Sequence, residues 1–293
     1  MENCKRLALG AVQFGLPYGI ANTSGQVSGD EAASILNRAW EAGLNTVDTA
    51  ISYGESEKRL GDIGIHHWQT ITKLPSVPAD CTDITEWVRE SVRGSLRRLK
   101  ISKLYGLLLH DSKQLLNSRG NEIYQTLNAL KEQGTIEKVG ISIYDPKEID
   151  LIWSRFKPDL VQAPFNVIDR RLVTSGWLSK LNEAGVEVHV RSIFLQGLLL
   201  MEKTNRPINF NRWQRLWDNW HQWLNDMSIS PLQACLCFAM SYPQIGRVVV
   251  GVDSLKQLQE IIAGAQSESC KIPPDTLMCD DLDLINPFLW KKS

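Results

Sequence analysis

The segments QTITK (69–73), ITEWVRESVRGSLRRL (84–99) and KLYGLLLH (103–110) contain the pattern that decides the fold. The first and third runs are short and rich in β-branched or leucine side chains, as in buried strands. The run between them places apolar residues on one helical face, namely Ile84, Val88, Val92, Leu96 and Leu99. This order predicts two parallel strands joined by a helical crossover.

The same alternation continues in both directions along the 293 residues. It predicts further strands at 7–12, 45–50, 138–142, 159–166, 186–192 and 246–251, and further helices at 28–43, 122–134, 147–156, 171–185 and 254–264. About eight strand–helix units favour an α/β fold of the (β/α)₈ TIM-barrel class over a doubly wound sheet. No linker rich in proline, glycine or serine divides the sequence, so residues 1–293 are predicted to form a single domain.

Extra helical segments are expected toward the C-terminus. Trp213, Trp217, Trp220 and Trp223 form one stripe at helical spacing. Such a stripe is more typical of a packing face than of a ligand platform. The tail 273–293 contains the apolar run LINPFLW and is expected to pack across part of the barrel surface.

The first predicted helix begins with a recognisable boundary signal. Ser28 and Glu31 have the S-x-x-E spacing of a capping box, in which each side chain bonds a backbone N–H near the other. Gly43 is the expected helix stop.

Bulk composition excludes several classes of partner. The formal net charge is -1 and 22% of residues are charged, which gives no electrostatic reason for a nucleic-acid or membrane-surface partner. The apolar runs are too short for a signal peptide or a membrane span. We therefore expect a cytoplasmic protein, either a monomer or a small homo-oligomer.

The six cysteines show no spacing typical of metal ligands or of a disulfide framework. Only Cys235 and Cys237 lie close in sequence, and an i,i+2 pair on a helix points to different faces. We expect reduced, mostly buried thiols and no metal site.

Four polar residues fall at or just after the carboxyl ends of successive predicted strands. They are Asp48, Tyr53, Lys73 and His110. In a barrel this rim is where active sites are built. A tyrosine hydroxyl can protonate a carbonyl oxygen, a nearby lysine ammonium would lower the tyrosine pKa, an aspartate would hold the lysine, and a histidine could position the carbonyl. Each of these residues, taken alone, is more often structural than catalytic. The prediction of catalysis rests on all four together.

Several motifs in order resemble the aldo-keto reductase superfamily, in particular a bacterial branch of it. They are DTAISYG (48–54), TKL (72–74), LH (109–110), VGIS (139–142), VQAPFN (161–166), SIFLQGL (192–198) and VGV (250–252). The resemblance implies NAD(P)H-dependent reduction of a small-molecule carbonyl, with Asp48, Tyr53, Lys73 and His110 as the catalytic tetrad.

The resemblance also implies a set of cofactor-binding residues. Asp48, Ser142 and Gln162 would lie at the nicotinamide, and Ser192, Phe194, Leu195, Gln196 and Gly197 match the loop along the pyrophosphate. At the other end of the cofactor the matching residues are Gly251, Ser254 and Gln257. Many members of the family carry lysine and arginine at the positions of Gly251 and Gln257, where the two cations bind the 2′-phosphate of NADP. NADP is therefore the family default. NAD stays possible, because this sequence lacks both cations.

The substrate and two further functions stay open. Phe14, Tyr18, Trp213 and Trp217 could line a pocket for a sugar-derived carbonyl or an apolar ketone. A non-catalytic module that binds nicotinamide and senses its redox state would keep the same fold. An unrelated barrel enzyme could instead use Lys73 as a Schiff-base amine.

Overall fold

A computed structural model describes residues 3–267 and 270–290. In this part of the chain eight parallel strands close into a barrel, each hydrogen-bonded to the next and the last to the first. The strands are β1 (Leu7–Gly10), β2 (Thr46–Asp48), β3 (Gln69–Leu74), β4 (Leu104–Leu109), β5 (Ile136–Ser142), β6 (Leu160–Pro164), β7 (Glu187–Arg191) and β8 (Arg247–Gly251). The predicted (β/α)₈ barrel is confirmed.

Helices follow the strands and surround the barrel. The α-helices are α1 (Val12–Gly15), α2 (Gly29–Glu41), α3 (Ser56–Ile63), α4 (Ile84–Leu99), α5 (Gly120–Glu132), α6 (Lys147–Ile152), α7 (Arg171–Thr174), α8 (Trp177–Glu183), α9 (Gln214–Met227), α10 (Pro231–Met240), α11 (Leu255–Ala265) and α12 (Leu282–Ile285). Short 3₁₀ helices lie at Asn3–Arg6, Ser112–Leu116, Leu195–Leu200, Lys203–Asn205, Ile208–Trp213, Asp275–Leu277 and Pro287–Leu289. None of these described helices is both long and apolar enough to cross a membrane.

Helix α4 has the bounds that the periodicity predicts. It begins after Asp83, whose side chain accepts the Glu86 N–H at 2.8 Å. The apolar face of α4 is buried. The helix ends at Leu99, and the next residue, Lys100, has a left-handed backbone conformation. The predicted helix 171–185 is instead two helices, because Gly176 adopts φ 78° between α7 and α8.

The predicted capping box of α2 forms only in half. Ser28 caps the helix by accepting the Glu31 N–H at 3.2 Å. The Glu31 carboxylate turns away from its own helix and accepts the N–H of Leu255 at 2.6 Å, at the start of α11. Glu31 therefore joins two helices that lie far apart in sequence.

The tryptophan stripe is a packing face, as expected. Trp217 and Trp220 are fully buried in the core, and Trp223 stacks on Trp220. Trp213 precedes α9 and donates its indole N–H to Asp281 at 3.1 Å. The C-terminal segment is thereby attached to the outside of the barrel through α9.

The expectation of unpaired thiols is wrong for one pair. Cys237 on α10 forms a disulfide with Cys270, with the two Cα atoms 5.4 Å apart. The partners are 33 residues apart, and only the return of the chain after α11 brings them together. Local cysteine spacing therefore gives no sign of this pairing. Cys4 and Cys235 are free and buried, as expected.

Close packing of α1 against the loop after β2 fixes the position of the rim. A Cβ atom added at Gly15 would lie 1.8 Å from the main-chain oxygen of Tyr53. Beside it, the Ser56 hydroxyl donates to the Ala11 oxygen at 2.7 Å and meets the Thr49 hydroxyl at 2.9 Å. The close approach of Gly15 to Tyr53 and the hydrogen bonds of Ser56 together hold the loop after β2 in place.

Substitution Gly15→Ala should therefore destabilise the protein, because its Cβ would overlap the backbone of Tyr53. We expect the free energy of unfolding in urea to fall by about 3 kcal/mol or more. Gly29→Ala is the matched control, since a Cβ there meets nothing within 4 Å. Equal stability of the two variants would contradict this account of the loop.

Candidate active site

The predicted tetrad lies on one cavity at the carboxyl ends of the strands. Asp48 ends β2, Lys73 is the penultimate residue of β3, His110 follows β4, and Tyr53 lies in the loop before α3. All four line a cavity of about 500 Å³. The chain thus brings together in space the four residues that the sequence places at separate strand ends.

Lys73 and Asp48 form a buried ion pair. The Lys73 Nζ lies 2.5 Å from Asp48 Oδ1 and also donates to the Thr49 oxygen at 2.9 Å. The Lys73 side chain is 1% exposed. Burial lowers the pKa of Lys73, and the neighbouring Asp48 carboxylate opposes that change.

Gln162 holds the other oxygen of Asp48. Its Nε2 donates to Asp48 Oδ2 at 2.7 Å, so both carboxylate oxygens have a donor. The Oε1 of Gln162 is buried and has no hydrogen-bond partner among residues 3–267 and 270–290. Gln162 therefore positions Asp48 through its Nε2, and its Oε1 is an acceptor without a donor among the described residues. The sequence offers only a resemblance-based role for it, at the nicotinamide.

Tyr53 differs electrostatically from what the sequence leads us to expect. Burial raises the pKa of Tyr53, the charge of Asp48 raises it further, and the cation that opposes them is Arg191. Lys73 lies over the tyrosine ring, with Nζ 5.1 Å from the ring centroid, and its charge is engaged by Asp48. Tyr53 is consequently a protonated phenol at neutral pH.

His110 is a neutral imidazole at the same pH. Burial, followed by the charges of Lys73 and Arg191, lowers the pKa of His110 to about 4. Its ring lies edge-on to Tyr53, with centroids 5.7 Å apart, and its Nδ1 is 3.2 Å from the Ser52 hydroxyl. When Ser52 donates to Nδ1, the imidazole proton is on Nε2 and can be donated to a substrate oxygen.

Arg191 is a cavity residue that the sequence analysis did not single out. It ends β7, donates to the Ile143 oxygen at 3.0 Å and lies over the ring of Tyr144, 4.5 Å from its centroid. Its charge acts on Tyr53, Lys73 and His110. The signal was available, because Arg191 is a charged residue at a strand end just as Lys73 is.

The structure separates the residues implied for cofactor binding into two groups. Those that line the cavity are Asp48, Ser142, Ser192, Phe194, Gln196, Gly197, Gly251 and Gln257. Gln162, Leu195 and Ser254 do not line it: Gln162 lies behind Asp48, Leu195 is buried in the core, and Ser254 caps α11. Of the proposed pocket walls, Tyr18 lines the cavity, whereas Phe14 and Trp217 are in the core and Trp213 is bound to Asp281.

The cavity has the shape and donors that suit a nicotinamide dinucleotide. In the loop after β7, Ser192, Leu195 and Gln196 have positive φ, and a Cβ at Gly197 would lie 2.5 Å from the Cβ of Ala21. A Cβ at Gly251 would lie 2.6 Å from Gln13 Nε2, and the buried Gln13 Oε1 has no partner among the described residues. Gln13 lines the cavity, so its Oε1 is an acceptor that a polar ligand could satisfy.

The described residues contain no group of three histidine, cysteine, aspartate or glutamate side chains arranged to hold a metal ion.

Comparisons of sequence and of structure identify the proteins that this chain resembles. The family model for the Aldo/keto reductase family matches residues 6–269. The chain is 26% identical over 260 residues to the oxidoreductase YqkF of Bacillus subtilis, covering 81% of this chain and 83% of that protein. It is 26% identical over 301 aligned positions to L-galactose dehydrogenase of Arabidopsis thaliana, covering 92% and 89%. The holo form of aldo-keto reductase AKR11C1 from Bacillus halodurans has the same fold, with a TM-score of 0.71 at 20% identity over 91% and 88% of the two chains.

The low pKa of His110 predicts a specific dependence of stability on pH. In the unfolded chain His110 binds a proton near its ordinary pKa, whereas in the folded chain it does so only near 4, so stability falls as pH drops between these values. The wild type should therefore lose more unfolding free energy than His110→Gln between about pH 7.5 and pH 5.

Urea denaturation at the two pH values measures this difference, with the exposed His66→Gln as control. The control should follow the wild type. An identical pH dependence in His110→Gln would show that His110 is not held neutral by its surroundings.

Proposed function

Since this chain belongs to the aldo/keto reductase family, we propose that it uses NAD(P)H to reduce an aldehyde or ketone carbonyl to an alcohol. The observation that carries the proposal is the convergence of Asp48, Tyr53, Lys73 and His110 on one cavity. Tyr53 and His110 both enter the reaction uncharged, each with a proton to offer a carbonyl oxygen.

Proton transfer in this scheme comes from Tyr53. A reduced nicotinamide, when bound, would supply the hydride for the carbonyl carbon and would itself be oxidised. The Tyr53 hydroxyl gives its proton to the carbonyl oxygen, so a C–H and an O–H bond form as the C=O π bond breaks. His110 orients the same oxygen through its Nε2–H. The phenolate left on Tyr53 is stabilised by Arg191 and Lys73, and it regains a proton from solvent.

Burial makes Tyr53 a weaker acid, yet the alkoxide that hydride addition would leave is a stronger base than a phenolate, so proton transfer to the substrate stays downhill. A buried phenol keeps its proton until the carbonyl oxygen begins to acquire negative charge. The positive charges of Lys73 and Arg191 are most useful at that moment, because they face a developing phenolate rather than a neutral ring. We assign Lys73, held by Asp48, to this electrostatic role and not to covalent catalysis.

Residues around the cavity account for cofactor retention in this proposal. Ser142 ends β5 and lines the cavity, so its hydroxyl is the group that a carboxamide would meet, while Gln162 on β6 holds Asp48 from behind. Gln196 and Gly197 line the cavity in a loop with positive φ, and we assign this loop to the pyrophosphate. Gly251 and Gln257 lie where the cavity meets α11.

A sugar-derived carbonyl is the substrate class that we propose. Two tyrosines, Tyr18 and Tyr144, line the cavity together with Arg191, and they offer both ring faces and hydrogen-bonding groups to a hydroxylated substrate. L-galactose dehydrogenase, similar to this chain over most of its length, is named for a sugar substrate. The position of Tyr18 is fixed by the Gln196 amide, which donates to its hydroxyl at 3.2 Å.

Tyr53→Phe tests the assigned proton donor. We expect the variant to lose carbonyl reduction by about a hundredfold or more, because no other hydroxyl replaces the phenol at that point. Cofactor oxidation measured at 340 nm with a panel of aldoses and simple aldehydes gives kcat/KM for both proteins. Calorimetric binding of the reduced cofactor should stay within about threefold of wild type, since the ring is kept.

Tyr124→Phe is the control, because it removes a tyrosine hydroxyl outside the cavity, where Tyr124 donates to the Lys157 oxygen at 2.8 Å, and it should keep wild-type turnover. Wild-type turnover in Tyr53→Phe would reject the role of Tyr53. Tight binding of cofactor by the wild type with no turnover on any carbonyl would favour a redox-sensing module instead.

A further inference from the structure

The cavity extends from the tetrad to the start of α11. Asp253, Gln257 and Glu260 line it there, and Asp253 and Glu260 are acidic. Because the nicotinamide must meet Tyr53, the adenosine half of a bound dinucleotide extends toward this acidic part. The chemistry of this acidic part therefore determines whether the protein accepts an adenosine ribose with a 2′-hydroxyl or one with a 2′-phosphate.

The N-terminus of α11 already has an anion bound to it from within the chain. Glu31, on α2, accepts the Leu255 N–H at 2.6 Å, and the Ser254 hydroxyl accepts the Gln257 N–H at 3.3 Å. A helix N-terminus attracts a phosphate through free N–H groups and a positive dipole end. Here the Glu31 carboxylate accepts the first N–H of α11, that of Leu255, and places negative charge beside this end of the helix.

Asp253 is fixed in the loop before α11. Asn22 donates its side-chain N–H to Asp253 Oδ1 at 3.0 Å, and the Asp253 N–H donates to the Gln257 side chain at 2.7 Å. The amide oxygen of Gln257 is thus turned back toward the loop. Asp253 keeps a second carboxylate oxygen for a ligand.

Positive charge is not available at this end of the described cavity. Lys256 has 85% of its side chain exposed, does not line the cavity and lies 3.9 Å from Glu260. The cations that the described lining does contain are Lys73 and Arg191, beside Tyr53. A second phosphate on the adenosine ribose would meet carboxylates without a neutralising partner.

We propose that the adenosine subsite accepts the free 2′-hydroxyl of NAD and excludes the 2′-phosphate of NADP, with Asp253 as acceptor and Glu31 as the charge that closes the α11 N-terminus. A 2′-hydroxyl can donate to a carboxylate, whereas a phosphate can only accept and carries about -1.5 to -2 charges. The selectivity rests on the proposed nicotinamide-dependent function and replaces the expected NADP default.

Direct binding tests this selectivity without turnover. Isothermal titration calorimetry with NADH and with NADPH should show the wild type binding NADH about tenfold or more tightly. Glu31→Gln and Asp253→Asn each remove one negative charge and keep the side-chain shape. Each should reduce the NADH-to-NADPH ratio by about threefold or more, mainly by tightening NADPH. Far-UV circular dichroism establishes that each variant is folded.

Glu41→Gln is the matched control, since it removes an exposed charge from the far end of the same helix as Glu31. Its ratio should equal that of the wild type. Equal or tighter binding of NADPH by the wild type overturns the selectivity and leaves the reductase function standing. An unchanged ratio in both Glu31→Gln and Asp253→Asn overturns the roles of these residues. Failure of both nucleotides to bind contradicts the proposed function, and the selectivity with it.

Discussion

The ion pair between Lys73 and Asp48 is the constraint on which the rim of the barrel around Tyr53 depends. An ammonium group that is 1% exposed costs several kcal/mol to bury unless it is paired and hydrogen-bonded. Asp48 Oδ1 and the Thr49 oxygen supply those bonds, and Gln162 satisfies the other oxygen of Asp48. The pair therefore fixes β2, β3 and β6 relative to one another at the rim, and it fixes Nζ over the ring of Tyr53.

A second buried carboxylate supports the same strands from behind. Glu57, at the start of α3, is 1% exposed and accepts from Thr72 at 2.7 Å, from Ser95 at 2.5 Å and from Arg98 Nε at 2.8 Å. These bonds join α3 and α4 to β3 next to Lys73. The loop that carries Tyr53 is thus held on one side by Glu57 and on the other by the packing of Gly15. With three donors on the Glu57 carboxylate, this network restricts the backbone around it.

Features with a local cause could be predicted from the sequence, and those with a distant partner could not. The bounds of α4 follow from its apolar period and the cap at Asp83, and the tetrad follows from polar residues at strand ends. The carboxylate of Glu31 has the right spacing for a capping box and nevertheless binds Leu255, 224 residues away. Cys237 and Cys270 pair for the same non-local reason. Arg191 differs, because its signal was local and its importance appears only from the groups around it.

Arg191 links the protonation states of Tyr53 and His110. One positive charge stabilises a phenolate and disfavours an imidazolium, so it lowers the pKa of both groups. On Tyr53 it opposes burial, and on His110 it adds to burial. The result is a neutral phenol beside a neutral imidazole, with one positive charge acting on both. Along the cavity this cationic end is followed by the acidic end at α11, so the two ends of the cavity carry opposite charge.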